Sequence, residues 1–282
     1  MTRHHPGIPD QQTVLADVRR ALDEDIGPGD ASADLVGESE MASARVVCRE
    51  PATLAGAPWF EACLRALDPD LEIRWHFRDG DTVEADTILC EIKGKARALL
   101  SAERSALNFL QTLSATASTT ARYSAVVSGS RTRILDTRKT LPGLRAAQKY
   151  AVRCGGGSNH RMGLFDAILI KENHISAAGG IAPVVRAARK KHPGLLLEIE
   201  VESLDELEQA LAAGVDRVML DEFNDSELGE ALALIDGRAQ VEISGGVDLA
   251  RLRELADLGV DYISIGALTK NIQAIDLSMR MD

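Results

Sequence analysis

Residues 136–174 read DTRKTLPGLRAAQKYAVRCGGGSNHRMGLFDAILIKENH. Between residues 131 and 171 the chain carries nine Lys or Arg residues and two Asp residues, a local charge of +7. The whole chain carries −11, so a basic stretch inside an acidic protein indicates a bound anion. Pro142, Gly143 and the triple glycine 155–157 interrupt the stretch, which argues against a plain solvated helix face.

The composition is that of a globular protein large enough for one large domain or a domain plus a smaller one. Aromatic residues make up only 4%, so the core must be mainly aliphatic, which suits an α/β fold. The acidic balance argues against nucleic-acid binding. No apolar run reaches the roughly 18 residues that span a bilayer. Four well-separated cysteines indicate reduced thiols in a cytoplasmic protein rather than a zinc site.

The first third of the chain predicts a small α+β unit with antiparallel strands. Residues 1–10 lack the apolar segment of a secretory signal and are predicted to form a loose arm. Apolar spacing predicts helices over residues 12–25, 58–67 and 101–127, and alternation predicts strands over residues 44–48 and 71–77. The last of these helices is rich in Ala, Ser and Thr, which suits close packing against another helix or subunit.

The remainder alternates apolar strands with helical segments. Strands are predicted over residues 132–136, 166–171, 196–201, 217–221, 240–244 and 261–266, and helices over 204–213, 226–235 and 249–258. This alternation predicts a parallel sheet with right-handed crossovers. The repeat of about 21 to 23 residues favours an incomplete TIM-type barrel. An open doubly wound sheet is the rival, although no G-x-G-x-x-G follows an early strand.

The carboxyl ends of parallel strands meet at one edge of a sheet, which is where such folds bind their substrates. The residues predicted to converge there are Asp136, Arg138, Lys139, Lys171, Glu200, Asp221, Ser244, Gly245, Gly246, Gly266 and Ala267. The two glycine-containing turns are candidate phosphate sites, because glycine lets backbone N–H groups approach an anion and a helix N-terminus attracts one.

The basic side chains of the first strand-loop unit are Arg138, Lys139, His160 and Arg161. Arginine forms paired hydrogen bonds to carboxylates, so two of them predict a substrate with more than one carboxylate, or a pyrophosphate. Lys139 and Lys171 leave a second hypothesis open, a Schiff-base lyase. A non-catalytic anion-binding protein is a third.

At this point the motifs resemble those of a known family, the carboxylating nicotinate-nucleotide pyrophosphorylases, also called quinolinate phosphoribosyltransferases. The resemblance spans nearly the whole chain. It is carried by DTRKT-x-PGLR from Asp136, KYAV-x-x-GGG-x-NHR-x-GL from Lys149, IKENH from Ile170, ERSALNFLQ from Glu103, EVESL from Glu200, MLD from Met219, SGG from Ser244 and YISIGALT from Tyr262.

The resemblance implies the transfer of a phosphoribosyl group from 5-phosphoribosyl-1-pyrophosphate to quinolinate. The expected products are nicotinate mononucleotide, pyrophosphate and carbon dioxide, in the de novo synthesis of NAD. It also implies a requirement for Mg²⁺, held by Glu200 and Asp221 directly or indirectly, and no organic cofactor.

The resemblance also implies roles for individual residues. Arg138, Lys139, His160 and Arg161 are expected to hold the quinolinate carboxylates, and Thr137 is expected to be a further substrate-binding residue. Lys171, Glu200 and Asp221 are expected to face the phosphoribosyl group and its magnesium, with Lys139 and these three as the catalytic residues. The 5′-phosphate is expected at Ser244, Gly245, Gly246, Ile265, Gly266 and Ala267.

The implied fold is an N-terminal α/β sandwich over residues 11–113 and an irregular, open, about six-stranded TIM-like α/β barrel over residues 114–267. Residues 268–282 are expected to return toward the N-terminal domain. The resemblance further implies a homodimer, or a higher oligomer, in which Arg104 reaches into the partner's site.

Departures from the family pattern are few. Glu222 follows Asp221 where Asn is frequent, which alters a polar position near the sugar. A related group near molybdate-transport operons shares much of the central motif, but the residues from Lys171 to His174 favour the quinolinate family.

Overall fold

The structure is a computed structural model that describes residues 7–281. Residues 1–6 of the predicted arm lie outside the described residues. The helices are α1 Gln11–Ile26, α2 Ala57–Leu67, α3 Ala96–Val126, α4 Arg145–Cys154, α5 Glu172–Ala178, α6 Ile181–Lys191, α7 Leu204–Ala213, α8 Asp225–Ile235, α9 Leu249–Asp257 and α10 Ala267–Lys270.

The strands follow the predicted alternation closely in the second half of the chain. They are β1 Met41–Cys48, β2 Ala52–Thr53, β3 Glu72–Trp75, β4 Thr82–Val83, β5 Thr87–Lys95, β6 Arg133–Leu135, β7 Ile168–Ile170, β8 Leu197–Val201, β9 Arg217–Leu220, β10 Gln240–Ile243, β11 Tyr262–Ser264 and β12 Leu277–Met281. A short 3₁₀ turn covers Ala33–Leu35.

The chain forms two compact units. The first contains the residues up to Arg122, the segment Lys139–Gly157 and the residues from Ala267 onward, and the second contains Tyr123–Arg138 and Ser158–Gly266. The middle of the basic stretch, including α4, therefore belongs to the first unit. The domain bounds proposed from the sequence, with a boundary at residues 113 and 114, stay a prediction.

The first unit is built on an antiparallel sheet in the order β12-β1-β5-β3. The last strand completes it by pairing with β1, from Ala44 opposite Met281 to Cys48 opposite Leu277. The apolar core of this unit includes Trp59, Phe60 and Leu110, all fully buried. Each large apolar side chain that is removed from water contributes about 1.5–3 kcal/mol.

The second unit contains a parallel sheet of six strands in the order β6-β11-β10-β9-β8-β7. Each strand from β7 to β10 lies beside its successor in the chain, and β6 and β7 stand at the two ends of the order. A doubly wound sheet would instead reverse its order at an internal switch point. The predicted fold class is confirmed, with an N-terminal α/β part and an open, six-stranded, TIM-like barrel.

The two faces of this sheet differ sharply in chemistry. On β8 the outward residues Leu197, Ile199 and Val201 alternate with Glu198 and Glu200 on the opposite face. Barrel interiors are usually filled by branched aliphatic side chains. A buried, charged inner face therefore sets this unit apart.

Among residues 7–281, none of the helices combines the length and apolar character that a bilayer crossing requires.

Replacing Gly155 by Ala is expected to destabilise the first unit. A Cβ atom at Gly155 would lie 2.3 Å from the carbonyl oxygen of Ala117 and 2.6 Å from the Cβ atom of Thr120, both on α3. Because the α3 backbone cannot shift without disturbing its packing, the substitution should lower the free energy of unfolding by about 1–3 kcal/mol. Thermal unfolding of Gly155→Ala should therefore begin several degrees below that of the wild type.

The matched control is Gly229→Ala. Gly229 lies inside α8, and a Cβ atom there meets nothing within 4 Å. Replacing a helix glycine by Ala should stabilise by about 0.5–1 kcal/mol. Equal effects of the two substitutions on the midpoint would contradict the packing argument at Gly155.

Candidate active site

The carboxyl ends of the second unit's strands carry most of the residues that the sequence placed there. Thr137 and Arg138 follow β6, Lys171 follows β7 and Asp221 follows β9. Ser244, Gly245 and Gly246 follow β10, and Ile265 and Gly266 follow β11. Parallel strands bring these ends to one edge. The first unit contains Arg104, Lys139 and Ala267.

Arg161 lies within electrostatic reach of Arg138, which follows β6. The pKa of Arg161 is lowered, first by burial and then by the positive charge of Arg138. Nearby carboxylates, first Glu198 and then Asp166, oppose this effect and do not cancel it. Two cations that repel each other at a strand end form a site that a dianionic ligand would stabilise.

The loop that carries Arg161 is held by a buried carboxylate. Asp136, at the end of β6, is fully buried. Its Oδ1 atom accepts the backbone N–H of His160 at 2.9 Å, and its Oδ2 atom accepts the Asn159 side-chain amide at 2.5 Å. Asp136 is thus an anchor for this loop, a role that its position at a strand end did not reveal.

The hydrogen bonds of His160 define its tautomer. Nδ1 accepts the backbone N–H of Arg161 at 2.8 Å, so this nitrogen carries no proton. Nε2 lies 2.8 Å from Oε2 of Glu198 and therefore carries the ring proton and donates it. The side chain is 8% exposed. Both ring nitrogens of this predicted carboxylate ligand are thus engaged within the protein.

A cluster of buried charged side chains lies beneath His160. Glu198 and Glu242 are fully buried, and Oε2 of Glu242 lies 3.6 Å from Nε2 of His160. Arg217 donates to the same Oε2 atom at 3.2 Å, and its guanidinium group stacks 4.0 Å from the ring centroid of Tyr262. Buried charges require such partners, because an isolated one costs several kcal/mol.

Sequence reasoning missed this cluster, although a signal for it was present. In β8 and β10 the buried residues Glu198 and Glu242 alternate with aliphatic ones, and β9 begins with the buried Arg217. A parallel strand buried on both faces should instead read as a continuous apolar run. Alternation in such a strand therefore points to a polar inner face.

The two buried carboxyl groups hold a proton between them. The pKa of Glu242 is raised to about 8, first by burial and then by the charge of Glu198. The pKa of Glu198 is also raised by burial, with the charge of Arg217 opposing the rise. Like charges this close cannot both ionise easily, so Glu242 is the protonated partner at neutral pH.

Lys171 and Glu200 form an ion pair across the ends of β7 and β8, with Nζ 2.5 Å from Oε2. An ammonium group held by a carboxylate is poorly placed to act as a Schiff-base nucleophile. The lyase hypothesis therefore gains no support from Lys171. His174 supports this position by accepting the backbone N–H of Lys171 at its Nδ1 atom, 3.0 Å away.

Among residues 7–281, two sets of side chains have the spacing of metal ligands. Carboxylate oxygens of Glu172, Glu200 and Glu202 lie within 4.8 Å of one another, an all-oxygen set of the kind that Mg²⁺ prefers. His160, Glu198 and Glu242 meet the same distance limit. That second set does not suit a metal, because Nε2 of His160 carries a proton and Oε2 of Glu242 already accepts a hydrogen bond from Arg217.

The turn after β10 lies against the end of β9. Gly245 and Gly246 have φ angles of +99° and +43°, which favour glycine. A Cβ atom on Gly245 would lie 3.4 Å from Oδ1 of Asp221 and 3.8 Å from Oε1 of Glu222. Glu222 itself has a φ angle of +58°, a region that non-glycine residues rarely adopt.

A cavity of about 370 Å³ opens beside this turn, lined by Glu222, Ser244, Gly245, Gly246 and Arg251 among others. The turn does not run directly into a helix as the sequence suggested. Asp248 caps α9 by accepting the N–H of Arg251, so α9 begins only at Leu249. The turn after β11 leads directly into α10.

The basic stretch does not form one continuous anion cradle. Arg131 pairs with Asp261 at 3.6 Å, before the start of β6 and β11. Arg153 donates to the carbonyl oxygen of Gly7 in the first unit. Lys149, on α4, is fully buried. Several of these cations therefore have structural roles, and the excess of charge overstated the size of the anion site.

Taken together, the fold and its edge define an α/β enzyme that carries basic and acidic side chains at the carboxyl ends of its parallel strands. Family models agree and extend this assignment. The model described as "Quinolinate phosphoribosyl transferase, C-terminal domain" matches residues 116–280, and the N-terminal domain model matches residues 30–114. The chain belongs to the quinolinate phosphoribosyl transferase family.

Individual relatives resemble the chain over nearly its full length. It is 38% identical over 257 residues to the probable carboxylating nicotinate-nucleotide pyrophosphorylase of Bacillus subtilis, covering 91% of this chain and 89% of that protein. It is 36% identical over 286 residues to a decarboxylating quinolinate phosphoribosyltransferase of Nicotiana tabacum, covering 94% and 81%. The nicotinate-nucleotide pyrophosphorylase structure from Francisella tularensis superposes with a TM-score of 0.95 at 44% identity, covering 99% of each chain.

Glu242→Gln is expected to stabilise the protein in a pH-dependent way. The pKa of Glu242 rises from an ordinary value of 4.5 to about 8 in the folded chain, so between these values the native state binds more protons than the unfolded state. Stability of the wild type therefore falls through this window as pH rises. Because Gln mimics the protonated carboxyl, the variant should unfold at a similar temperature at pH 5 and at a higher one at pH 8.

Calorimetric midpoints of both proteins between pH 5 and pH 9 would measure this difference. Glu230→Gln, on the exposed face of α8, is the control and should track the wild type. A difference between Glu242→Gln and the wild type that stays constant across this range would contradict the buried, protonated carboxyl.

Proposed function

We propose that the chain transfers the phosphoribosyl group of 5-phosphoribosyl-1-pyrophosphate to quinolinate, with loss of carbon dioxide, to give nicotinate mononucleotide and pyrophosphate. The observation that carries the proposal is the electrostatic interaction of Arg161 with Arg138, the residue that follows strand β6, in a chain of this family. Their repulsion is relieved by a substrate with two carboxylates. Quinolinate is such a substrate.

The base site comprises Thr137, Arg138, Lys139, His160 and Arg161. Arg138 and Arg161 supply planar, paired donors that match carboxylate geometry. Orientation of the pyridine ring by fixed cations places its nitrogen for attack on the sugar. Positioning of this kind supplies much of the rate enhancement in a two-substrate transfer.

The sugar donor is assigned to the rest of the strand ends. Lys171, Glu200 and Asp221 face the ribose, and the turns Ser244–Gly246 and Ile265–Ala267 hold the 5′-phosphate. As pyrophosphate departs, positive charge grows on the sugar carbon, and the carboxylates of Glu200 and Asp221 stabilise it. Lys171 is paired with Glu200 before substrates bind, so its charge is already in place.

The proposed metal is Mg²⁺, held by Glu200 and Asp221 directly or through water and pyrophosphate. Carboxylate oxygens are abundant at the end of β8, which supports an oxygen-preferring ion there. When bound, Mg²⁺ would neutralise charge on the leaving pyrophosphate.

Decarboxylation needs no organic cofactor. Attack by the ring nitrogen makes the pyridine cationic. The C–C bond to the adjacent carboxylate then breaks, carbon dioxide leaves, and the electron pair stays on the ring carbon next to the positive nitrogen until a proton arrives. The substrate itself is the electron sink.

We further propose a homodimer in which Arg104 of each subunit reaches the partner's site. Arg104 lines a cavity of about 430 Å³ in the first unit, together with Arg20, Asp25, Asn108 and other residues.

The protein is assigned to the cytoplasm, supported by Cys48, Cys63, Cys90 and Cys154, all buried free thiols.

The proposal is tested directly by incubating the purified protein with Mg²⁺, quinolinate and phosphoribosyl pyrophosphate. Nicotinate mononucleotide and carbon dioxide should appear in equal amounts. Turnover of nicotinate, or of another base, in place of quinolinate would overturn the substrate assignment.

Arg161→Lys should raise the KM for quinolinate while leaving the KM for phosphoribosyl pyrophosphate nearly unchanged. Lysine keeps the charge and loses the paired donors, so the rise should be on the order of tenfold to a hundredfold. Arg131→Lys is the control, because Arg131 pairs with Asp261 at the opposite strand ends. A rise in both Michaelis constants would count against a role specific to quinolinate.

Arg104→Ala and Arg138→Ala should each be inactive when folded. Mixed after subunit exchange, they should regain activity, because a hybrid dimer contains one site with both arginines intact. Persistent inactivity, with exchange verified by mass spectrometry, would refute the contribution of Arg104 across the interface.

A further inference from the structure

We infer that Glu198 is a positioning residue for substrate binding: through the ring of His160 it fixes the backbone of Arg161 and so aims that guanidinium group. The inference rests on the proposed function, which assigns a substrate carboxylate to Arg161. The inference predicts that Glu198, although fully buried, affects the binding of quinolinate and not the binding of the sugar donor.

The first step is the hydrogen bond between Glu198 and His160. Oε2 of Glu198 lies 2.8 Å from Nε2 of His160, and the two side chains are 0% and 8% exposed. A buried carboxylate accepts a hydrogen bond strongly, because water cannot compete for it. Glu198 thus fixes the tautomer with the proton on Nε2.

The second step follows from this tautomer. With the proton on Nε2, Nδ1 presents a lone pair, and the backbone N–H of Arg161 donates to it at 2.8 Å. A ring with its proton on Nδ1 would place two donors against each other. The acceptor provided by Glu198 therefore determines whether the backbone at Arg161 is held or repelled.

The third step is the rigidity of the surrounding loop. Asp136 accepts the backbone N–H of His160, and the carboxylate of Asp166 accepts the N–H groups of Met162 and Gly163 at 2.7 and 2.9 Å. The residues on both sides of Arg161 are thus fixed by carboxylates. The His160 ring completes this set at Arg161 itself, so its loss should shift one side chain and spare the rest of the loop.

The position of Glu198 on β8 is itself fixed. Its register partner on β9 is Arg217, which also binds Glu242. Glu242 lies 3.6 Å from the His160 nitrogen, beyond the ordinary range of a hydrogen bond. Glu242 belongs to the same cluster but lacks the direct contact, which makes it a matched control.

The test compares three variants in steady-state kinetics with both substrates. Glu198→Met removes the acceptor at similar volume and should raise the KM for quinolinate by about tenfold or more, the scale expected when an oriented group is displaced. The KM for phosphoribosyl pyrophosphate should change less than about twofold. Glu198→Gln retains an acceptor oxygen and should restore a KM for quinolinate close to that of the wild type.

Glu242→Gln should leave both Michaelis constants close to those of the wild type. Unchanged quinolinate KM in Glu198→Met would overturn the inference, and so would equal changes in both Michaelis constants, which indicate a general structural role. If the wild type does not turn over quinolinate, the proposed function is refuted. The role of Glu198 in fixing the His160 ring is then tested by a second measurement, which needs no substrate.

The second measurement uses the intact wild type and no substrate. Nitrogen-15 spectra of the histidine rings, with the His160 signal assigned by its loss in His160→Gln, should show a neutral ring with the proton on Nε2 from pH 6 to pH 8. A proton on Nδ1, or an imidazolium at pH 7, would overturn the inference. This outcome is independent of whether Glu198→Met folds.

Discussion

The burial of two carboxyl groups inside a parallel sheet is the constraint on which the second unit depends. Glu198 and Glu242 are completely removed from water, and an isolated carboxylate there would cost several kcal/mol. Three features of the unit offset this cost. The guanidinium group of Arg217 donates to Glu242, the neutral imidazole of His160 donates to Glu198, and Glu242 keeps its proton. Each of these partners is thereby fixed in turn, and their fixed positions shape the edge of the sheet.

As a result, the charged side chains buried within the sheet differ in their surroundings from those at its edge. Below the edge, buried polar groups are hydrogen-bonded to each other, as with Arg217 and Glu242. Near the edge, the positive charge of Arg138 lowers the pKa of Arg161. In the proposed function, a ligand with two carboxylates supplies negative charge to these two cations. Preorganised cations of this kind need no rearrangement when the ligand arrives, which is the condition for strong electrostatic stabilisation.

Much of the fold could be predicted because the relevant signals are local. Helix α7 has the predicted bounds, and the six strands of the second sheet lie where apolar runs placed them. Helix α4 was not predicted, because glycines and charges on both sides obscured its apolar face, which packs in the first unit. The strand-end residues were found because parallel strands share a direction, and direction follows from the alternation of strands and helices.

The sequence by itself determined the six strands of the second sheet, the helices α7 to α9, the residues at the strand ends and the family. Periodicity and motif spacing act over a few residues, so they survive without coordinates. Only the tertiary structure decided which side chains meet: Glu198 and His160 are 38 positions apart, and Arg217 and Glu242 are 25 apart. Strand order and register create those contacts, and the contacts in turn set the tautomer of His160 and the proton on Glu242. Charge count alone could not separate the cations that bind substrate from those, such as Arg131, that pair within the fold.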